Sequence, residues 1–177
     1  MLLMILDPIL INDKCLLEIQ QLGGTEEICK LLMEQPMPSE IDNPDDWEYT
    51  KRYVNTSFRY VLKCLLQMVR DQRGVNEFLA QKTWCDRLLQ LLEEWEEEGH
   101  ENVTTGMRAL KFVIKQEQTY DTVAARYPNM GNFLLAGMMK YHLDRPNIIS
   151  EAIIGMKYIL RKPTYVRNVD QENIQYL

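Results

Sequence analysis

Three lysines have the residue type and spacing most suggestive of chemistry in this chain: Lys63, Lys111 and Lys157, which are 48 and 46 residues apart. Each lies in a five-residue pattern of a large aliphatic residue, a lysine, a variable residue and two aliphatic residues. The three copies are Leu-Lys-Cys-Leu-Leu, Leu-Lys-Phe-Val-Ile and Met-Lys-Tyr-Ile-Leu. A lysine ammonium is a compact charge that attracts carboxylates and phosphates. Since a period in the forties is typical of stacked helical repeats, the spacing indicates one binding chemistry repeated along the chain.

Polar and aromatic residues lie beside each lysine at helical spacing, which places them on or next to one strip of a helix. The ten candidate partner-binding residues are Tyr60, Lys63, Gln67, Arg108, Lys111, Phe112, Lys115, Lys157, Tyr158 and Arg161. Cations steer and bind carboxylates, and aromatic rings add apolar contact, so these strips suit an acidic peptide. The alternative interpretation is an ordinary solvated helix face without a binding role.

The charges are segregated along a chain of net charge -6. Three segments predicted as long helices, 50–73, 102–117 and 147–162, hold 12 of the 20 basic residues and 3 of the 26 acidic ones. The acidic residues cluster instead in the loop around 40–48 and in the run 93–101. This segregation favours a basic strip within an acidic protein, and the overall balance argues against a general nucleic-acid binder.

Residues capable of catalysis or metal binding are few and widely separated. The four cysteines and two histidines are Cys15, Cys29, Cys64, Cys85, His100 and His142. None forms a paired metal-ligand spacing, and the chain has no phosphate-binding glycine loop and no nucleophile motif. We therefore predict no catalytic residue, no metal site and no cofactor, with the cysteines as reduced, buried thiols of an intracellular, cytoplasmic or nuclear protein.

Three blocks of short, middle and long helices would position the lysines, within a single 1–177 domain. The predicted blocks are 12–72 (with an acidic, proline-containing loop at 35–46), 73–117 and 118–162, flanked by partial repeats at 1–11 and 163–177. We saw no strand pattern, so the predicted fold is all-α. No apolar run approaches the length of about 18 residues needed to span a membrane, and we predict no membrane association.

The helix boundaries follow from capping residues. Asn12 or Asp13 begins the first short helix, which ends at Gly23-Gly24. Thr25 and Thr83 are predicted to cap the middle helices, and Asn102 to open the second long helix. The first long helix is predicted to begin near Asp45-Asp46, and Pro146 suits the first turn of the last one.

This order of helices resembles the armadillo repeat. The segment from Asn12 through Gly23-Gly24 to Leu31-Leu32 resembles the part of that repeat in which a short helix ends at a glycine and a second helix follows. The resemblance implies a right-handed α-solenoid of about three repeats, with HEAT-like or irregular repeats as an alternative. It also implies that the third helices line a concave groove. The tryptophan and asparagine ladder of the armadillo import receptors is absent, since Tyr60 and Cys64 stand at its first pair of places. A basic groove would also repel basic import signals.

The functional prediction is a non-enzymatic adaptor that binds an acidic peptide or protein segment along this basic groove. The alternatives are a structural scaffold that assembles through apolar ends, as a homo-oligomer or as part of a longer protein, and a nucleic-acid-binding repeat domain. Both ends resemble parts of repeats, and a solenoid end without a polar cap exposes apolar surface.

Overall fold

The computed structural model describes residues 2–41, 47–94, 100–115 and 146–159, and this part of the chain is helical without strands. The all-α prediction is thus confirmed for the described residues. The helices are α1 (Leu2–Leu10), α2 (Asp13–Gln21), α3 (Gly24–Met33), α4 (Trp47–Met68), α5 (Gln72–Ala80), α6 (Lys82–Glu94), α7 (His100–Lys115) and α8 (Pro146–Ile159). A 3-10 turn, Pro38–Glu40, follows α3.

The chain divides into two compact units, Met1–Ala109 and Leu110–Leu177, with the boundary inside α7. The short and middle helices predicted for the third block, the partial repeat 163–177 and the middle of the acidic loop lie outside the described residues. The single-domain organisation with its five segments remains a prediction.

Local capping rules explain where α2 begins and ends. Asn12 accepts hydrogen bonds through Oδ1 from the backbone N–H groups of Lys14 (3.0 Å) and Cys15 (3.3 Å), as predicted for an N-cap. After α2, Gly23 adopts a left-handed backbone with φ of 84°, which glycine reaches without a steric penalty. The chain therefore reverses within two residues, and α3 begins at once.

The two predicted threonine caps are wrong. Gly23 caps α3, so Thr25 lies inside the helix, where it is fully buried and its Oγ1 donates to Met68 Sδ at 3.7 Å. Likewise α6 begins at Lys82, which places Thr83 within the helix on its exposed side. In both cases the chain turns one residue before the threonine, so the side chain is not available to the first-turn N–H groups.

The core of the first unit is built on α4, which packs against α1, α2 and α3. Apolar residues at helical spacing predict a buried stripe along this helix, and six of them are buried, the last just beyond Met68: Val54, Phe58, Val61, Leu62, Leu65 and Val69. Leu66, also predicted to point inward, is only half-buried. Each fully buried large apolar side chain contributes about 1.5–3 kcal/mol relative to exposure, so this stripe contributes substantially to the stability of the unit.

A buried amide closes the junction between α4 and α5. Gln20 on α2 is 1% exposed, and its Nε2 donates to the Met68 carbonyl oxygen (3.0 Å) and to Asp71 Oδ1 (3.3 Å). Asp71 in turn caps α5 by accepting a 2.8 Å hydrogen bond from the Gly74 N–H. Gly74 consequently approaches the Met68 carbonyl so closely that no side chain fits there.

The start of the acidic loop is fastened to α6. Arg87 Nη2 donates to the Gln35 carbonyl oxygen at 2.6 Å and lies 3.4 Å from Glu40 Oε2. Ser39 donates through its backbone N–H (3.3 Å) and its Oγ (2.7 Å) to Glu94 Oε2. These contacts stabilise the 3-10 turn, which lacks the hydrogen bonds of a longer helix.

In the second unit, Pro146 begins α8, as predicted from its fixed φ and missing N–H. The apolar spacing of this segment predicts that Ile153 and Met156 both point inward. Met156 is buried, but Ile153 is 56% exposed, so its predicted inward position is wrong. The buried side of α8 carries Glu151, Gly155 and Met156, and Ile153 is two positions from Glu151. A two-residue step turns the side chain to the opposite side of a helix.

Candidate partner-binding strips on the long helices

The first candidate strip lies on α4 in the Met1–Ala109 unit. Tyr60, Lys63 and Gln67 are all half-buried, and the Lys63 ammonium lies 5.6 Å from the Tyr60 ring centroid, within range of a cation–π interaction. Gln67 Oε1 accepts a 3.1 Å hydrogen bond from Arg70 Nη1. The predicted proximity of cation and ring is thus present on this helix.

An acidic residue outside the predicted strip contacts it. Glu101 bridges two cations of α4, with Oε2 3.0 Å from Arg59 Nη1 and Oε1 3.6 Å from Lys63 Nζ. The predicted second long helix begins at Asn102 and excludes Glu101, but α7 begins at His100. A carboxylate in the first turn is favoured by the helix dipole, which explains why an acidic residue can start this basic helix.

Arg59 is the contact residue that the sequence reasoning missed. It lies four positions before Lys63, so helical spacing alone would have placed it on the same strip. Its Nε is buried and has no hydrogen-bond acceptor among the described residues. The Arg59, Lys63 and Glu101 side chains are 37%, 33% and 52% exposed, and exposed ion pairs contribute only about 0–1 kcal/mol.

Asn102, predicted to open the second long helix, is instead the third residue of α7 and is fully buried. Its Nδ2 donates to the Asn55 carbonyl oxygen at 3.1 Å and to Asn55 Oδ1. The prediction is wrong because the two preceding residues are also helical, so Asn102 faces α4. Its amide therefore fixes the start of α7 against α4, beside the Glu101 bridge.

The second unit contains a similar lysine–glutamate ion pair that is more deeply buried. Lys111 on α7 forms an ion pair with Glu151 on α8, and their side chains are only 20% and 13% exposed. The Lys111 ammonium lies 5.9 Å from the Phe112 ring centroid. Removing one charge of a largely buried ion pair leaves the other without a counter-charge and destabilises the fold. Lys111 therefore has a structural role that the sequence did not indicate.

The remaining candidates are placed as follows. Arg108, Lys115 and Lys157 are exposed, and Tyr158 is half-buried. Arg161 lies outside the described residues. Tyr60, Lys63, Gln67 and Arg108 belong to the first unit, and the other described candidates to the second.

The thiols offer little nucleophilic chemistry. Burial raises the pKa of Cys64 to about 12, with a smaller contribution from the Asp7 carboxylate, and burial also raises the pKa of Cys29, with Glu77 and Glu26 adding to it. Cys85 is buried, but Cys15 is half-exposed, which corrects the prediction that all four are buried. Because the thiolate is the nucleophile, buried thiols with raised pKa values are poor ones.

No group of three His, Cys, Asp or Glu residues that could hold a metal ion occurs in residues 2–41, 47–94, 100–115 and 146–159. Within those same ranges, none of the helices is both long enough and apolar enough to cross a bilayer. Comparisons of the chain with models of known protein families, with curated proteins and with solved structures found no match.

Proposed function

We propose that this chain is a non-enzymatic helical-repeat adaptor that binds an acidic segment of a partner protein through the long-helix cations. The observation that carries the proposal is the recurrence of one ion pair, Lys63–Glu101 and then Lys111–Glu151. The two lysines are 48 residues apart and the two glutamates 50. The same pairing between consecutive long helices supports an armadillo-like stack with solenoid connectivity, and such stacks present extended binding surfaces.

The internal ion pairs decide which cations would contact a partner. Lys111 is largely buried against Glu151, whereas Lys115 and Lys157 are exposed in the last turns of their helices. Exposed charges of this kind steer association and set its salt dependence. The buried or half-buried cysteines suit a reducing, intracellular compartment, cytoplasmic or nuclear.

Charge reversal at the exposed cations should therefore reduce binding of an acidic ligand. With a fluorescent peptide of ten glutamates as probe, we expect Lys115→Glu/Lys157→Glu to weaken binding roughly tenfold in fluorescence anisotropy at low salt. The matched control is Lys14→Glu/Lys82→Glu, which changes the net charge equally at first-turn positions that tolerate glutamate. Equal affinities of wild type and the Lys115/Lys157 variant would contradict the proposal.

A structural scaffold is the second candidate, favoured by the outer side of α1. Met4, Ile5 and Ile9 are 52%, 58% and 41% exposed, and Ile11 just after the helix is 59% exposed. An apolar stripe of this kind on a protein surface marks a contact site for another molecule. The occupant we propose in this case is a second copy of the chain. Its α1 carries the same apolar stripe and has no basic residue.

Self-association predicts a sedimentation coefficient that rises with protein concentration. The substitution Met4→Glu/Ile5→Lys leaves the net charge unchanged and should abolish that rise, because two charged groups would have to be desolvated in the contact. Tyr53→Ser, at a 71% exposed position on α4, is the control and should leave it intact. A concentration-independent monomer in sedimentation velocity would exclude self-association, although not a scaffold role as part of a longer protein.

A further inference from the structure

The Glu101 bridge has the composition of an occupied carboxylate-binding site. Its two oxygens are divided between two cations, with Arg59 Nη1 at 3.0 Å and Lys63 Nζ at 3.6 Å. The Tyr60 ring lies under the Lys63 ammonium and supplies an apolar side to the same strip. An arginine and a lysine around a carboxylate, with an aromatic ring beside the lysine, form a typical recognition arrangement for an acidic side chain.

Two features distinguish this bridge from a purely structural ion pair. The Glu101 side chain is 52% exposed, so it can leave for water, whereas Glu151 at 13% cannot do so freely. Arg59 Nε lacks an acceptor among the described residues, so the guanidinium is not fully used by Glu101. A carboxylate in the fork geometry would pair with Nε and an Nη group together.

Glu101 also retains a favourable position after leaving the cations. It is the second residue of α7, where the helix dipole stabilises a negative charge without any contact to Arg59 or Lys63. The packing of α7 on α4 does not depend on the bridge alone, since Asn102 holds the same two helices together from a fully buried position. The bridge can therefore open while the helices stay in place.

We propose that Arg59 and Lys63, with Tyr60, form a carboxylate-binding subsite for the acidic partner segment, and that Glu101 occupies this subsite in the free protein. The inference rests on the proposed function and adds a competition to it: a ligand carboxylate binds only when it displaces the internal one. Because every ligand must compete with Glu101, a ligand with several closely spaced carboxylates binds, whereas a ligand with a single carboxylate does not.

The test removes the internal carboxylate. In the same decaglutamate anisotropy assay, Glu101→Gln should tighten binding roughly threefold to tenfold, because the competing charge is lost while the side-chain shape is kept. The matched control is Glu18→Gln on the exposed side of α2, which changes the net charge equally away from the strip. Adding Arg59→Gln to Glu101→Gln should cancel the gain, and circular dichroism should show equal helicity for all variants.

The three possible outcomes of the binding assay have different consequences for this inference and for the adaptor proposal. If wild type binds the peptide and Glu101→Gln binds no better than Glu18→Gln, the bridge only ties α4 to α7 and this inference is overturned, while the adaptor proposal stands. If wild type does not bind but Glu101→Gln does, Glu101 blocks the site completely and the inference holds. If neither binds, both the inference and the proposed function are wrong.

Discussion

Replacing Gly74 with alanine should destabilise the Met1–Ala109 unit by about 3 kcal/mol, the upper end of the cost of overpacking a core. A Cβ atom at this position would lie 1.7 Å from the Met68 carbonyl oxygen and 2.7 Å from its carbon. That carbonyl cannot move away cheaply, because it accepts a 3.0 Å hydrogen bond from the buried Gln20 amide. The gain of about 1 kcal/mol from alanine's helix propensity does not offset the clash.

Denaturant unfolding followed by circular dichroism would measure this loss, with two other glycines as controls. At Gly106 the added Cβ meets only the flexible end of Leu92, at 2.5 Å, so a rotation of that side chain relieves much of the contact. At Gly23 nothing lies within 4 Å, and the cost is limited to about 1–2 kcal/mol of left-handed backbone strain. The prediction fails if Gly74→Ala is as stable as either control.

Truncating Glu151 to alanine should also cost about 3 kcal/mol of unfolding free energy, because it leaves the largely buried Lys111 ammonium without a counter-charge. The matched exposed site is Glu101, where Glu101→Gln should change stability by about 1 kcal/mol or less. The contrast follows from burial, since the Glu151 and Lys111 side chains are 13% and 20% exposed and that of Glu101 is 52% exposed.

The double variant Lys111→Met/Glu151→Leu provides the control for charge. It removes both ions and fills the space with apolar groups, so it should recover most of the stability that Glu151→Ala loses. Thermal or denaturant unfolding of the three variants beside wild type would measure the difference. If Glu151→Ala and Glu101→Gln destabilise equally, the burial argument for the second pair is wrong.

Helix boundaries were predictable where a local rule had no competitor. Asn12 and Pro146 start their helices as predicted, because side-chain capping and a fixed φ act within one turn. Thr25 and Asn102 were plausible caps by residue type but lie inside their helices, because the chain had already turned before them. Residue type alone does not say which of several adjacent candidates caps a helix.

The candidate site was predictable only within a single helix. The proximity of Lys63 to Tyr60 follows from their three-residue helical spacing, and Arg59 could have been added by the same argument. The proximity of Lys111 to Phe112 follows simply from their adjacency in the sequence. The acidic partners Glu101 and Glu151 come from neighbouring helices, 38 and 40 residues further along the chain. Periodicity carries no information on pairing between helices, so the ion pairs of Lys63 and Lys111 with these glutamates could not be deduced from the sequence.

The Gln20 junction has a consequence for the protein as it is synthesised. Gln20 and its acceptor Met68 are 48 residues apart, and at 5–20 residues per second a ribosome needs roughly 2 to 10 s to cover that distance. Until α4 has been made, α1 and α3 lack the helix that each of them contacts most extensively. The nascent chain therefore passes through an interval in which the apolar sides of α1 and α3 that α4 later covers stay exposed.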